Sequence, residues 1–279
     1  MGRLRAGALA AYFELLDPAP VAMVLLAATG FCFAAARGRP AAWRLRSFLA
    51  GLLATQCAIS LHNHYCDREL DRRTKPWRAL PRGLVSPAVA LASAGALTLT
   101  GLLAVLPLGL PVLALLGIGT AAGFSYNAWF KRSRWTWIPF WVALPSLPVC
   151  ACAVVGRGVP RLGLAYVVGA PLVLGIYLAD SLADLEADAV EGVQGLAHRI
   201  GPGPAQRVCW AALGLGQILA LGTRPRTRPP GPLYFAAGYC LVLAIAVGRQ
   251  TQGRAHWLVS ILSAVGVSVA WIDDVFAKH

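Results

Sequence analysis

Asn63-His64-Tyr65-Cys66-Asp67-Arg68-Glu69-Leu70-Asp71 and Asp180-Ser181-Leu182-Ala183-Asp184-Leu185-Glu186-Ala187-Asp188 decide how this chain is read. Both follow (Asn/Asp)-x3-Asp-x3-Asp. Matching positions are offset by 117 residues, Asn63 to Asp180, Asp67 to Asp184 and Asp71 to Asp188. Residues four apart share one face of a helix. Each triad therefore forms a polar stripe about 12 Å long at the helical rise per residue.

The sequence around the triads is built for lipid. Of its 279 residues 57% are hydrophobic and only 13% charged, with a mean hydropathy of +0.61. That composition excludes an ordinary soluble domain. Carboxylates in such a chain are costly and point to function. The net charge of +13 comes from Lys and Arg in short loops between apolar runs. Loop anchoring accounts for them, and no nucleic-acid-binding module or arginine-rich tail is present. The seven cysteines are scattered through apolar runs without metal-ligand spacing, which fits packing. Arg3 and Arg5 lead into a first span rather than a signal peptide, because Glu14 and Asp17 interrupt the approach.

Nine apolar runs approach the length a bilayer requires: 19–36, 43–65, 87–106, 110–130, 136–156, 161–182, 204–222, 232–248 and 256–275. The expected architecture is all-α: a polytopic membrane protein, a bundle of nine transmembrane helices in one integral domain covering 1–279. The acidic triads end the second and sixth spans, so they face the same side. Pro87 and Pro204, again 117 apart, open the spans that follow. This pattern reads as an internal parallel repeat. Lys and Arg are in modest excess on the side of the N-terminus, although Arg37, Arg39, Arg44 and Arg46 fall opposite. The triad-bearing loops are therefore expected to be cytoplasmic, in a cell membrane. Arg224, Arg226, Arg228 and Arg249 read as solvated loop anchors.

Six oxygen-bearing side chains suit a hard divalent cation. Mg2+ keeps some of its waters and commonly bridges one or two carboxylates to substrate phosphates. No His or Cys cluster competes, and His64 points away from the stripe. A basic loop follows the first triad: Arg68, Arg72, Arg73, Lys75, Arg78 and Arg82. Cations beside a metal-ready stripe fit an anionic diphosphate, whose departure a metal would assist.

These residues resemble the UbiA-type intramembrane prenyltransferase superfamily over nearly the whole chain. The resemblance rests on Asn63-x3-Asp67-x3-Asp71 followed by Arg78-Ala79-Leu80-Pro81-Arg82-Gly83, and on Asp180-x3-Asp184-x3-Asp188 followed by Gly192. Ser125-Tyr126-Asn127-Ala128-Trp129-Phe130-Lys131 adds to it. It implies a nine-helix bundle around a cavity open to lipid, with Mg2+ and a prenyl diphosphate held by Asn63, Asp67, Asp71, Asp180, Asp184 and Asp188. It implies basic diphosphate contacts at Arg78 and Lys131, with Arg82 in the same loop, and a tyrosine near the reaction centre at Tyr126. It implies a lipophilic, usually aromatic, acceptor for the prenyl group. Three departures stand out: Asn63-His64 where the family often has Asn-Asp, Tyr126-x4-Lys131 where it has Tyr-x3-Lys, and Arg78-Ala79-Leu80-Pro81 where it has Arg-Pro-Leu.

Other residues are weighed on their own. Gly119-x3-Gly123 fits close helix packing. Tyr177, three residues before Asp180, is a candidate either to line the cavity and face a carbocation or to serve in packing. Gln56 is a polar group at lipid depth, suited to an acceptor contact or a helix bridge. His62 and His198 are candidates for proton transfer, although each reads first as a hydrogen-bonded structural residue, and Asp273 and Asp274 read as water-facing. Asp67→Ala or Asp184→Ala is expected to abolish turnover in a folded protein. A membrane terpene cyclase would use the same aspartates. A transporter is disfavoured, because the carboxylates sit at span ends beside a basic loop rather than on broken mid-membrane helices.

Overall fold

The computed structural model describes residues 10–133, 135–157, 162–190, 192, 195–225, 229–250 and 253–275. Arg3, Arg5, Arg226 and Arg228 lie outside them. Every regular element among the described residues is helical. The long helices are α1 (Pro18–Ala36), α2 (Ala42–Thr74), α3 (Pro87–Val105), α4 (Leu110–Ala128), α5 (Trp137–Val154) and α6 (Leu162–Ala183). Two short helices, α7 (Leu185–Val190) and α8 (Leu196–Ile200), precede α9 (Pro202–Thr223), α10 (Pro232–Gly248) and α11 (Arg254–Val275).

Six segments are long and apolar enough to cross a membrane: Pro18–Ala36, Pro87–Leu108, Leu110–Ala128, Trp137–Val154, Gly163–Ala183 and Arg254–Val275. The protein is an integral membrane protein. The other three expected spans fall on α2, α9 and α10. Helix α10 has 17 residues. Helix α2 begins with Arg44 and Arg46 and ends in the charged motif, which lowers its mean hydropathy.

Helix α2 is the axis of the first half. Its 33 residues extend about 50 Å, well beyond a hydrocarbon core of roughly 30 Å, so one unbroken helix carries both an apolar stretch and the whole first triad. It packs along α3. Their closest approach is glycine on glycine: a Cβ on Gly51 would sit 2.7 Å from the Gly101 carbonyl oxygen. Ser86 caps α3 by accepting a hydrogen bond from the Val89 N–H at 3.2 Å, with Pro87 in the first turn. In the second half α6 packs along α9.

Two apolar clusters hold the bundle. The larger is central and joins Ala28, Cys32, Phe48, Leu52, Val112, Val149, Leu178 and Leu213. The smaller gathers Leu15, Leu61, Ala79, Leu80, Ala90 and Ala94 beneath the loop after α2. Burial of Ala79 and Leu80 pins that loop against α2 and α3, and so fixes where Arg78 points.

Arg224 and Asp274 differ from expectation. Arg224 Nη1 lies 3.9 Å from Asp274 Oδ2, and their side chains are only 12% and 15% exposed. The last turn of α11 is therefore tied to the end of α9 rather than turned to water. Asp273 pairs with Arg37 at 3.5 Å.

Candidate active site

The first triad lies on one face of α2, as its spacing predicts. Asp67 and Asp71 are each 2% exposed. Carboxylates so deeply buried require partners, and both have them. Lys131 Nζ pairs with Asp67 and lies 3.3 Å from Asn63 Oδ1, while Arg132 Nη2 donates to Asp67 Oδ1 at 3.2 Å. Arg78 Nη1 donates to both oxygens of Asp71, at 2.8 and 3.1 Å. Arg82 is exposed on the same loop.

Lys131 reaches the triad because α4 stops. The helix ends at Ala128, and a tight turn over Phe130–Arg132 follows. That turn carries Lys131 back over the end of α2 despite the extra residue after Tyr126. Arg132, which sequence reasoning passed over, arrives with it. Its place beside Lys131 in a basic pair was the available signal.

The second triad is built differently. An unbroken helical stripe was expected, but α6 ends at Ala183, Asp184 occupies a bend, and Asp188 lies on α7. Charge explains the break. The region 162–198 contains no Lys or Arg. Carboxylates spaced by four repel one another, and they oppose the negative end of the helix dipole. The first triad starts with neutral Asn63 and ends among Arg68, Arg72 and Arg73, so α2 continues.

Tyr177 lies behind the cavity wall. It is 4% exposed. Its hydroxyl bonds Thr136 Oγ1 at 2.5 Å and accepts from the Leu196 N–H at 3.1 Å. His198 Nε2 lies 3.0 Å from the Leu185 carbonyl oxygen. Both residues thus brace the segment after the second triad, and His198 has the structural role expected of it.

Asn63 from the first triad and Asp180 from the second line one cavity of about 520 Å³. Asn63, Lys131, Tyr126 and Asp180 line its polar end. Tyr126 stands within electrostatic reach of Asp67, from the first triad, and of Asp180 and Asp188, from the second. Phe140 lies edge-on to the Tyr126 ring, with centroids 5.1 Å apart. Away from this end the lining turns apolar, through Ile59, Leu116, Leu147, Leu52 and Phe48. Asn63 and Phe48, both in the lining, are separated by about 22 Å along α2. Gly123 packs tightly, since a Cβ there would meet Ile59 Cδ1 at 2.6 Å; Gly119 faces open space.

Residues 23–258 match the sequence profile of the UbiA prenyltransferase family. The chain belongs to this family. The Bacteriochlorophyll synthase 33 kDa chain of Rhodobacter capsulatus is 30% identical over 215 residues, 70% of this chain and 68% of that protein. Its counterpart in Cereibacter sphaeroides is 31% identical over 185 residues, 62% of this chain and 59% of that protein. Digeranylgeranylglyceryl phosphate synthase of Hyperthermus butylicus is 31% identical over 172 residues, 57% of this chain and 56% of that protein. The matched stretch thus spans little more than half the length of two of these three relatives. In three dimensions the chain is similar to a UbiA homolog from Archaeoglobus fulgidus solved bound to GPP and Mg2+. The TM-score is 0.74 at 18% identity, covering 94% of this chain and 99% of that one. The likeness extends to the fold as a whole, which is the UbiA fold.

Proposed function

We propose that this protein is a Mg2+-dependent intramembrane prenyltransferase that moves a prenyl group from an isoprenoid diphosphate to a lipophilic, aromatic acceptor. The observation that carries the reading is one cavity, mostly apolar, whose polar end is lined by Asn63 and Asp180, one residue from each triad, together with Lys131. We also infer that α2, α9 and α10 cross the bilayer, giving nine spans. The packing of α2 on α3 and of α6 on α9 supports two parallel repeats in one integral domain. The triads would then open to the cytoplasm at the cell membrane.

The donor set fits Mg2+. All six candidates offer oxygen, and the metal needs only one or two carboxylates beside substrate phosphates. No cage of three preformed acidic ligands is therefore required, and the described residues contain none. Asn63, Asp67 and Asp71 would hold one part of the metal–diphosphate assembly, and Asp180, Asp184 and Asp188 the other. Bound there, Mg2+ supplies charge neutralisation for the departing diphosphate.

The chain's own residues do the rest. Lys131, Arg132 and Arg78 already stand on Asp67 and Asp71, where an arriving diphosphate would share them. The apolar length toward Phe48 takes the prenyl chain and keeps water from the allylic cation formed when the C–O bond breaks. The faces of Tyr126 and Phe140 stabilise that cation. The acceptor then supplies the electron pair for the new bond and gives up a proton to the released diphosphate.

The decisive experiment gives purified protein geranylgeranyl diphosphate and Mg2+ with no acceptor. The expected outcome is slow release of diphosphate with linear alcohol, rising on addition of an aromatic acceptor. A cyclic hydrocarbon or cyclic alcohol would instead identify a cyclase.

The cavity predicts its own limit on chain length. Gly119 lines it, and a side chain there would meet nothing within 4 Å of its Cβ. Gly119→Phe should therefore fold and shorten the apolar channel. Preference for geranyl over geranylgeranyl diphosphate should rise about 10-fold, in the range that pocket volume alone commands. Paired kcat/KM values check this, and an unchanged ratio would mean that the prenyl chain runs elsewhere.

A further inference from the structure

Among the residues that line the cavity, Asp17 is the acidic side chain that neither triad supplies. It precedes α1 with φ 45° and ψ 65°, a left-handed conformation uncommon outside glycine, and its side chain makes no capping hydrogen bond. The reason is local. Pro18 and Pro20 occupy the first and third helical positions, so of the two amides an N-cap carboxylate can take, the third-position one is missing and only that of Ala19 is left. The carboxylate is left to the cavity, whose wall it helps to form.

A second residue fixes its depth. His64 is 3% exposed, and neither ring nitrogen has a hydrogen bond of good geometry. Its nearest ionic neighbour is Asp17, with Nε2 3.3 Å from Oδ2. Because His64 follows Asn63 on α2, this contact sets Asp17 at the level of the triad end, beside the reacting end of a bound prenyl chain. Gln56 and Ser60 extend the polar edge along α2 in the same wall.

The charge balance of the wall then restricts what can sit there. Among the described lining residues the cation is Lys131, which is already engaged with Asp67 and Asn63; His64, 3.3 Å from Asp17, is not part of the lining. A second substrate carrying a carboxylate would meet Asp17 with no cation to spare, and like charges at close range are strongly disfavoured. A neutral hydroxyl would instead find a carboxylate ready to accept its hydrogen bond.

We propose that Asp17 recognises the acceptor: its carboxylate accepts a hydrogen bond from a hydroxyl on an uncharged aromatic ring, and it excludes acceptors that bear a carboxylate. This rests on the prenyl-transfer reading above. It adds the substrate class, which neither triad specifies.

The test uses the full chain with geranyl diphosphate, Mg2+ and two probe acceptors, 4-methylphenol and 4-hydroxybenzoate. Wild-type protein should alkylate 4-methylphenol at least about 10-fold more efficiently, the scale of one charge-assisted hydrogen bond gained against one charge repelled. Asp17→Asn and Asp17→Gly both tolerate a left-handed backbone. Each should raise the KM for 4-methylphenol about 10-fold and erase most of the discrimination. The KM for geranyl diphosphate and the Mg2+ dependence should stay within about twofold, since the triads are untouched. Four results would overturn the proposal: equal use of the two phenols by the wild type, use of neither while diphosphate is still released, unchanged phenol KM in both variants, or a loss of Mg2+ affinity. Failure of the wild type to bind geranyl diphosphate at all would instead defeat the parent reading.

Discussion

Asp184→Ala should cost turnover on the order of 10³-fold, the scale of losing a key electrostatic contact in an active site, while the melting temperature stays put. The two halves of that expectation come from different facts. Asp184 is exposed and sits in the bend between α6 and α7. Its backbone still makes both local bonds, donating to the Asp180 carbonyl at 3.2 Å and accepting from the Asp188 N–H at 2.8 Å. Alanine preserves these, and an exposed side chain with no packing role contributes little to folding. The side chain nevertheless belongs to the triad, close enough for its charge to act on Asp180 at the cavity wall. Rate measurements with geranyl diphosphate and a thermal melt of the same preparation separate the two effects. Full activity would remove Asp184 from the metal-binding set. A collapsed melt would show that the bend depends on its carboxylate.

The contrast between the triads shows how far the sequence could be read. Spacing by four was enough to find both motifs and to put the first on one helical face, because nothing interrupts α2. It misled for the second. Periodicity says which residues would share a face if the helix continued, but continuation depends on charge balance at the helix end. The same holds for Tyr126 and Lys131, whose unusual separation looked like a departure until the helix stop at Ala128 and the turn after it were seen. Tyr177 was placed in the correct helix, but its hydroxyl was already bonded to Thr136 and Leu196, residues far from it in sequence. Asp17 was least legible. A left-handed backbone and a missing capping bond cannot be recovered from hydropathy, although Pro18 and Pro20 carried part of the explanation.

Asp67 poses a harder case than Asp184, and a more informative one. Asp67→Ala should lose activity on the same order of 10³-fold. Here a second penalty follows. Asp67 and Lys131 have side chains only 3% and 14% exposed, so removing the carboxylate leaves a largely buried ammonium without its main charged partner. Breaking such a pair typically costs about 3 kcal/mol or more. Arg132, with its side chain 49% exposed, can turn to water and adds little. Asp67→Ala should therefore be both inactive and visibly less stable. The control is Asp67→Asn combined with Lys131→Met, which removes both charges at nearly constant volume. That double variant should recover most of the stability and none of the activity, because two well-packed neutral groups can replace a buried ion pair without loss. Melting curves and rates on the three proteins decide the matter. Equal stability of Asp67→Ala and its parent would mean that Lys131 finds water or another carboxylate when released. Recovery of turnover in the double variant would mean that the pair serves the fold alone, and the first triad would then lose its central member as a candidate ligand.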